Sequence, residues 1–181
     1  MRPFSGGGIR IWGLSREAKV VYTCFLLTSL LAFGSSFLLA EDMIGGRGAA
    51  AYYGVGRAIA PGRARTDGPA IALPDEPSAV EVAMPYRKLL EVAHFHLFTV
   101  PVFLLIVTHL FMLTGLGTGA KLGWILLVWL TSLGHVAAPF VVRYGGAKLA
   151  WVFPWSGAAM AVPLLFVTVY PAVVMWRAPR S

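Results

Sequence analysis

The sequence predicts an all-α integral membrane protein, a four-helix bundle with one long extramembrane loop between its first two helices. Three observations predict it. The chain is 57% hydrophobic and only 13% charged, and its mean hydropathy of +0.72 is far above that of a soluble domain. Four apolar runs reach the roughly 20 residues needed to cross a bilayer: 18–40, 89–116, 122–142 and 149–176. The connections between the last three runs are short, 115–121 and 143–148, which makes those helices antiparallel neighbours.

The elements follow in order. Residues 1–17 form a tail with a flexible Gly6-Gly7-Gly8, and residues 18–181 form the transmembrane domain, including the loop 41–87. Ser15 is suited to cap the first span, with Glu17 in its favourable first turn. That span is too long for a signal-peptide core, and Leu38-Leu39-Ala40-Glu41 is a poor cleavage site, so it reads as a retained helix. The lone cysteine, Cys24, lies in it, so no internal disulfide is expected. Loop 41–87 is rich in Gly, Ala and Pro, and a loop of that length is usually functional or docked. Within it Tyr52-Tyr53-Gly54 resembles a short docking element. The basic cluster Arg10, Arg16, Lys19 before the first span places both termini in the cytoplasm and the long loop outside. Pro101, Pro139, Pro154, Pro163 and Pro171 fall within spans, where neighbouring helices can satisfy the freed carbonyls.

The net charge of +7 belongs mostly to residues flanking spans, a topology signal rather than a nucleic-acid surface. No CxxCH, GxxxxGK[ST], GxGxxG or HEXXH occurs, nor any Ser-His-Asp grouping. No carboxylate pair lies in a span, which argues against an ion-coupled transporter. The chain thus shows no catalytic constellation of its own.

All four histidines lie in apolar runs: His94, His96 and His109 in the second, His135 in the third. Ionisable side chains in a bilayer are expensive and default to function, and imidazole ligates metals and haem iron. His96 lies eight residues into its span and His135 nine residues from the end of its own, so both sit about 12–13 Å deep. Two imidazoles at one depth on adjacent antiparallel helices suit a bis-histidine haem b. Small residues recur at that level: Gly34-Ser35-Ser36, Ala93, Gly134, Ala137-Ala138 and Gly157-Ala158-Ala159. They fit either a haem-sized space or close helix packing. His94 points about 200° away from His96, so the two cannot face one porphyrin, and His94 is the alternative ligand to His96. His109 lies about 20 Å along the axis from His96 without a histidine partner. Met175 and Cys24 are the conceivable ligands near it, so a second haem would call on a partner subunit. Arg143 could meet a haem propionate or snorkel to the interface. Glu91 could hold His94 or pair with Arg87 and Lys88. Without a cofactor, the histidines would bond hydroxyls such as Thr99, Thr108, Thr131 and Ser132.

Around HFHLF, PVFLLIVTHLF and LGHVAAPF the chain resembles small four-helix membrane proteins of bacteria. More loosely it resembles b-type cytochrome subunits that anchor oxidoreductases. That resemblance implies a bacterial inner-membrane, multi-pass electron-transfer subunit of a respiratory or photosynthetic complex. It also implies other membrane subunits, the quinone pool or a periplasmic electron carrier as partners. His96 and His135 would be the axial ligands of one haem b. The alternative is an accessory subunit without cofactor, docking through loop 41–87. A third reading is copper handling by His94, His109 and methionines.

Overall fold

The structure, a computed structural model, describes residues 10–45, 48–54 and 83–177. Five α-helices follow in order: α1 (Arg16–Ala40), α2 (Ala49–Tyr53), α3 (Tyr86–Met112), α4 (Thr118–Gly145) and α5 (Val152–Trp176). No strand occurs among the described residues. Four helices, all but the short α2, are long and apolar enough to cross a membrane. They coincide with the four predicted runs, their ends shifted by up to four residues.

Local chemistry sets the ends. Ser15 Oγ accepts from Ala18 N at 3.3 Å, the expected N-cap of α1. At its other end α1 runs on through a widened turn, Glu41–Gly45. α3 starts after Pro85, which has no N–H to leave unpaired. Where α3 stops, Lys121 Nζ donates across the turn to Met112 O at 2.6 Å, satisfying a carbonyl that lacks a helical partner. The same turn is held from the N-terminal side, where Ile11 N donates to Leu113 O at 3.1 Å. α4 closes on Gly146, whose φ of +65° is open to glycine at little cost. Pro101, Pro139, Pro163 and Pro171 lie inside helices that continue through them. Pro154 falls in the first turn of α5, where no intrahelical N–H bond is lost.

α5 is the central helix. It packs most extensively on α4 and also touches α1 and α3. α1 is peripheral, with only Leu26 and Ser29 buried. Trp176 Nε1 donates to Thr23 Oγ1 at 2.9 Å, so the start of α1 and the end of α5 share one side of the bundle. α2 lies on the other.

The core is in two parts. Toward the termini side Leu26, Leu104, Val107, Leu110, Phe111, Val128, Leu164 and Val167 form one cluster. On the α2 side Ala49, Tyr53, Leu89 and Val142 form another, with Ile44, Phe140 and Phe153 packed against it. Between them is a layer in which α1, α3 and α5 bury nothing and α4 buries only the small Ser132 and Ala138. α1 has no buried residue after Ser29, α3 none between Leu89 and Leu104, and α5 none before Pro163.

α2 realises the docking expected of Tyr52-Tyr53-Gly54, and it docks within the chain. Its entry turns on Gly48, at φ +77° and ψ +152°. That region is essentially closed to other residues, at about 1–3 kcal/mol. A Cβ there would touch nothing within 4 Å, so the penalty is purely one of backbone conformation. Gly48→Ala is therefore expected to release α2 and leave the spans intact. Hydrogen exchange would show protection lost at the Ala51 and Tyr52 amides, which bond to Gly48 O, with α3–α5 unchanged.

Candidate functional site

Both members of the depth-matched pair sit at the centre of the layer between the clusters. The buried residues of α4 are Val128, Ser132, Ala138 and Val142, spaced −7, −3, +3 and +7 about His135. These offsets return to one face of an α-helix, so His135 points into the bundle, and it is half-buried. On α3 the same reasoning applies to His96. Leu89, at i−7, is buried in one cluster, and Phe103, Val107 and Leu110, at i+7, i+11 and i+14, belong to the other. His96 therefore lies on the core-facing stripe, yet its ring remains exposed.

The hydrogen bonds fix the tautomers. His96 Nδ1 lies 2.7 Å from Val92 O. A carbonyl only accepts, so Nδ1 carries the proton. His135 Nδ1 lies 2.9 Å from Ser156 Oγ, and Ser156 Oγ donates its only hydrogen to Phe153 O at 2.9 Å. Ser156 must then accept from His135, and Nδ1 again carries the proton. Each neutral ring is left with a bare lone pair on Nε2. That is how protein-ligating imidazoles are prepared, one nitrogen tied to an oxygen and the other free.

The surroundings of His135 fit its ring. A Cβ on Gly157 would come within 3.3 Å of the imidazole, so glycine there makes room for it. Phe153, one turn earlier on α5, packs against the same ring with centroids 5.0 Å apart. Elsewhere in the small-residue band, Cβ atoms added at Gly34 or Gly134 would meet nothing within 4 Å. Close helix packing therefore does not account for those two. Ser132, 1% exposed and one turn from His135, is the buried side chain whose hydroxyl has no partner among the described residues. An unpaired buried hydroxyl is costly, and in this layer it favours a polar neighbour.

The other candidates fall elsewhere. His94 and His109 are both exposed and lie about 60° apart in projection, on the outward face of α3. His94 packs edge-on to Phe98, centroids 4.9 Å apart, in an open groove of about 470 Å³ between α3 and α4. Glu91 pairs with Arg87 at 3.5 Å and Lys88 at 3.3 Å, the interfacial alternative to holding His94. Arg143 Nη1 donates to Met84 O at 2.9 Å and its guanidinium lies 5.6 Å from the Tyr86 ring centroid, so it clamps the start of α3. Met175 is buried and Cys24 is exposed. No group of three His, Cys, Asp or Glu side chains that could hold a metal ion forms among the described residues.

The hydroxyls expected to serve the histidines do not. Thr99, Thr108 and Thr131 bond carbonyls of their own helices at 2.6–2.8 Å, the usual local competition. The partner is Ser156, which sequence reasoning missed. Its signal was present in Ser156-Gly157, a hydroxyl beside a glycine early in the fourth span.

No curated protein and no solved structure matches the chain. Residues 75–181, which hold α3, α4, α5 and all four histidines, match a family described as a transmembrane helical domain. With more than half of its length matched, the chain belongs to this family, Aq_1264_TM.

Proposed function

We propose that this membrane protein is a b-type cytochrome subunit with His96 and His135 as the axial pair. One observation carries the reading. The two imidazoles that share the layer between the clusters both have Nδ1 tied to an oxygen and Nε2 bare. Haem bound between them would supply reversible one-electron transfer. The chain's own contribution is orientation and exclusion of water. Val92 O and Ser156 Oγ fix the two rings, Phe153 and Gly157 confine His135, and the two apolar clusters close the layer at either end. Arg143 is the cation on α4 nearest the outer end of His135, about 12 Å along the helix. Only one of its five donors is used by Met84, which leaves others for a propionate. Electrons would pass between a carrier on the α2 side and the quinone pool or another subunit.

The test is a reduced-minus-oxidised visible spectrum of protein purified from haem-replete cells. A b-type α-band supports the proposal, and a colourless, folded protein overturns it.

The accessory-subunit reading has its own observation. His94 and His109 share an outward face of α3 and make no hydrogen bond among the described residues. Ionisable side chains seldom face lipid, so this face fits a neighbouring subunit. Photo-crosslinking from position 109 in native membranes would show a specific protein adduct, and lipid adducts alone would count against it.

A further inference from the structure

His135 is also touched by groups that have no part in holding iron. Phe153 touches it twice. Its ring stacks at 5.0 Å from the imidazole, tilted by 40°. Its carbonyl receives the Ser156 hydroxyl that in turn receives His135 Nδ1–H. The Phe153 ring also meets Tyr53 of α2, centroids 5.0 Å apart and tilted by 47°. A membrane-embedded imidazole is thus linked by two aromatic contacts to a helix outside the spans.

That helix is itself fixed. Met84 N donates to Tyr52 O at 2.9 Å, and Met84 O receives Arg143 from the end of α4. Tyr52 packs edge-on to Tyr53, centroids 4.9 Å apart. Tyr53 is 9% exposed, and burial, with Tyr52 beside it, holds its phenol well above the usual range. The ring therefore stays neutral and seated at any ordinary pH.

We propose that Tyr53 is a positioning residue for His135, acting through the Phe153 ring. α2 is then more than a plug in the outer cluster. It sets the rotamer of Phe153, and the Phe153 ring, packed on the imidazole, holds His135 where Nδ1–H meets Ser156 Oγ. Removing Tyr53 frees the Phe153 ring to turn, and without that ring contact His135 can swing away from Ser156 and lose its fixed tautomer. A binding event that lifts α2 would reach the imidazole by the same route. The consequence for haem rests on the function proposed above. The coupling of Tyr53 to His135 does not.

The test therefore begins on haem-free protein in nanodiscs with ¹⁵N-labelled histidine. Two-bond ¹H–¹⁵N correlations report which ring nitrogen is protonated. The unsubstituted protein and Tyr53→Phe should show His135 as a single Nδ1–H tautomer. Tyr53→Leu, which keeps apolar volume without the flat ring, and Phe153→Leu should both lose that signature, while His96 keeps it. Thermal unfolding run alongside identifies any variant that fails to fold, and if Tyr53→Leu is one, Tyr53→Ala carries the comparison. Haem-loaded samples should show a shifted midpoint potential in Tyr53→Leu and an unshifted one in Tyr53→Phe. An unchanged His135 signature in folded Tyr53→Leu overturns the proposal, whatever the visible spectrum shows. A protein that never takes up haem, yet loses the His135 signature in Tyr53→Leu, sinks the cytochrome reading and leaves this one standing.

Discussion

His96→Ala and His135→Ala are each expected to abolish the b-type α-band, whereas His94→Ala and His109→Ala retain it. The contrast comes from azimuth. His96 and His135 lie on the stripes that face the bundle, at the centre of the layer where α1, α3 and α5 bury nothing. His94 is turned into the outward groove between α3 and α4, and His109 sits in the last turn of α3. A porphyrin ligated on both faces loses half its protein bonds when either ring is removed, so each substitution acts alone and the double variant adds little. Neither change opens a packed core, since His96 is exposed and His135 half-buried. Helicity and thermal unfolding should therefore stay close to those of the parent, which separates ligand loss from collapse. Haem content per protein, measured by pyridine haemochrome, checks the prediction. Loss of the band in His94→Ala with retention in His96→Ala would move the site to the outward groove.

The helices were legible because span length and hydropathy are one-dimensional properties, and so was the shared depth of His96 and His135, which follows from rise per residue alone. What a histidine's neighbour will be is a cross-helix question. It depends on how α4 and α5 are rotated against each other, and no spacing within one span encodes that. Thr131 and Ser132 are near His135 in sequence, yet the first turns to its own helix and the second has no partner. Ser156, twenty-one residues on, makes the bond. Arg143 illustrates the same limit. Its position at the end of a span marked it as an interfacial cation, but its bond to Met84 O across fifty-nine residues depends on where loop 41–87 re-enters the bundle. The small-residue band is a third case. Sequence left it open between space and close packing. Gly34 and Gly134 face nothing, while Gly157 faces His135. One compositional pattern thus serves two purposes at different azimuths.

Ser156→Ala should weaken haem binding by about 10–100-fold, the range for loss of an outer partner that orients a ligating histidine. Ser156 is not a ligand, and the argument runs through its single hydrogen. Because that hydrogen goes to Phe153 O, the hydroxyl presents only lone pairs to His135, and the ring answers with Nδ1–H. Alanine leaves that N–H without an acceptor in a region screened from water, at about 1–3 kcal/mol. The ring can escape the penalty by moving its proton to Nε2 and seeking another contact, but Nε2–H cannot bind iron. The variant therefore chooses between an unpaired donor and the wrong tautomer, and both lower affinity. Ser156→Thr keeps the hydroxyl and should restore binding to within a few-fold of the parent. Haem titrated into apo-protein and followed in the Soret region gives the two affinities directly. Equal affinity in Ser156→Ala and the parent would show that the bond to Ser156 does not prepare the ring, and His135 would lose its strongest claim to be an axial ligand.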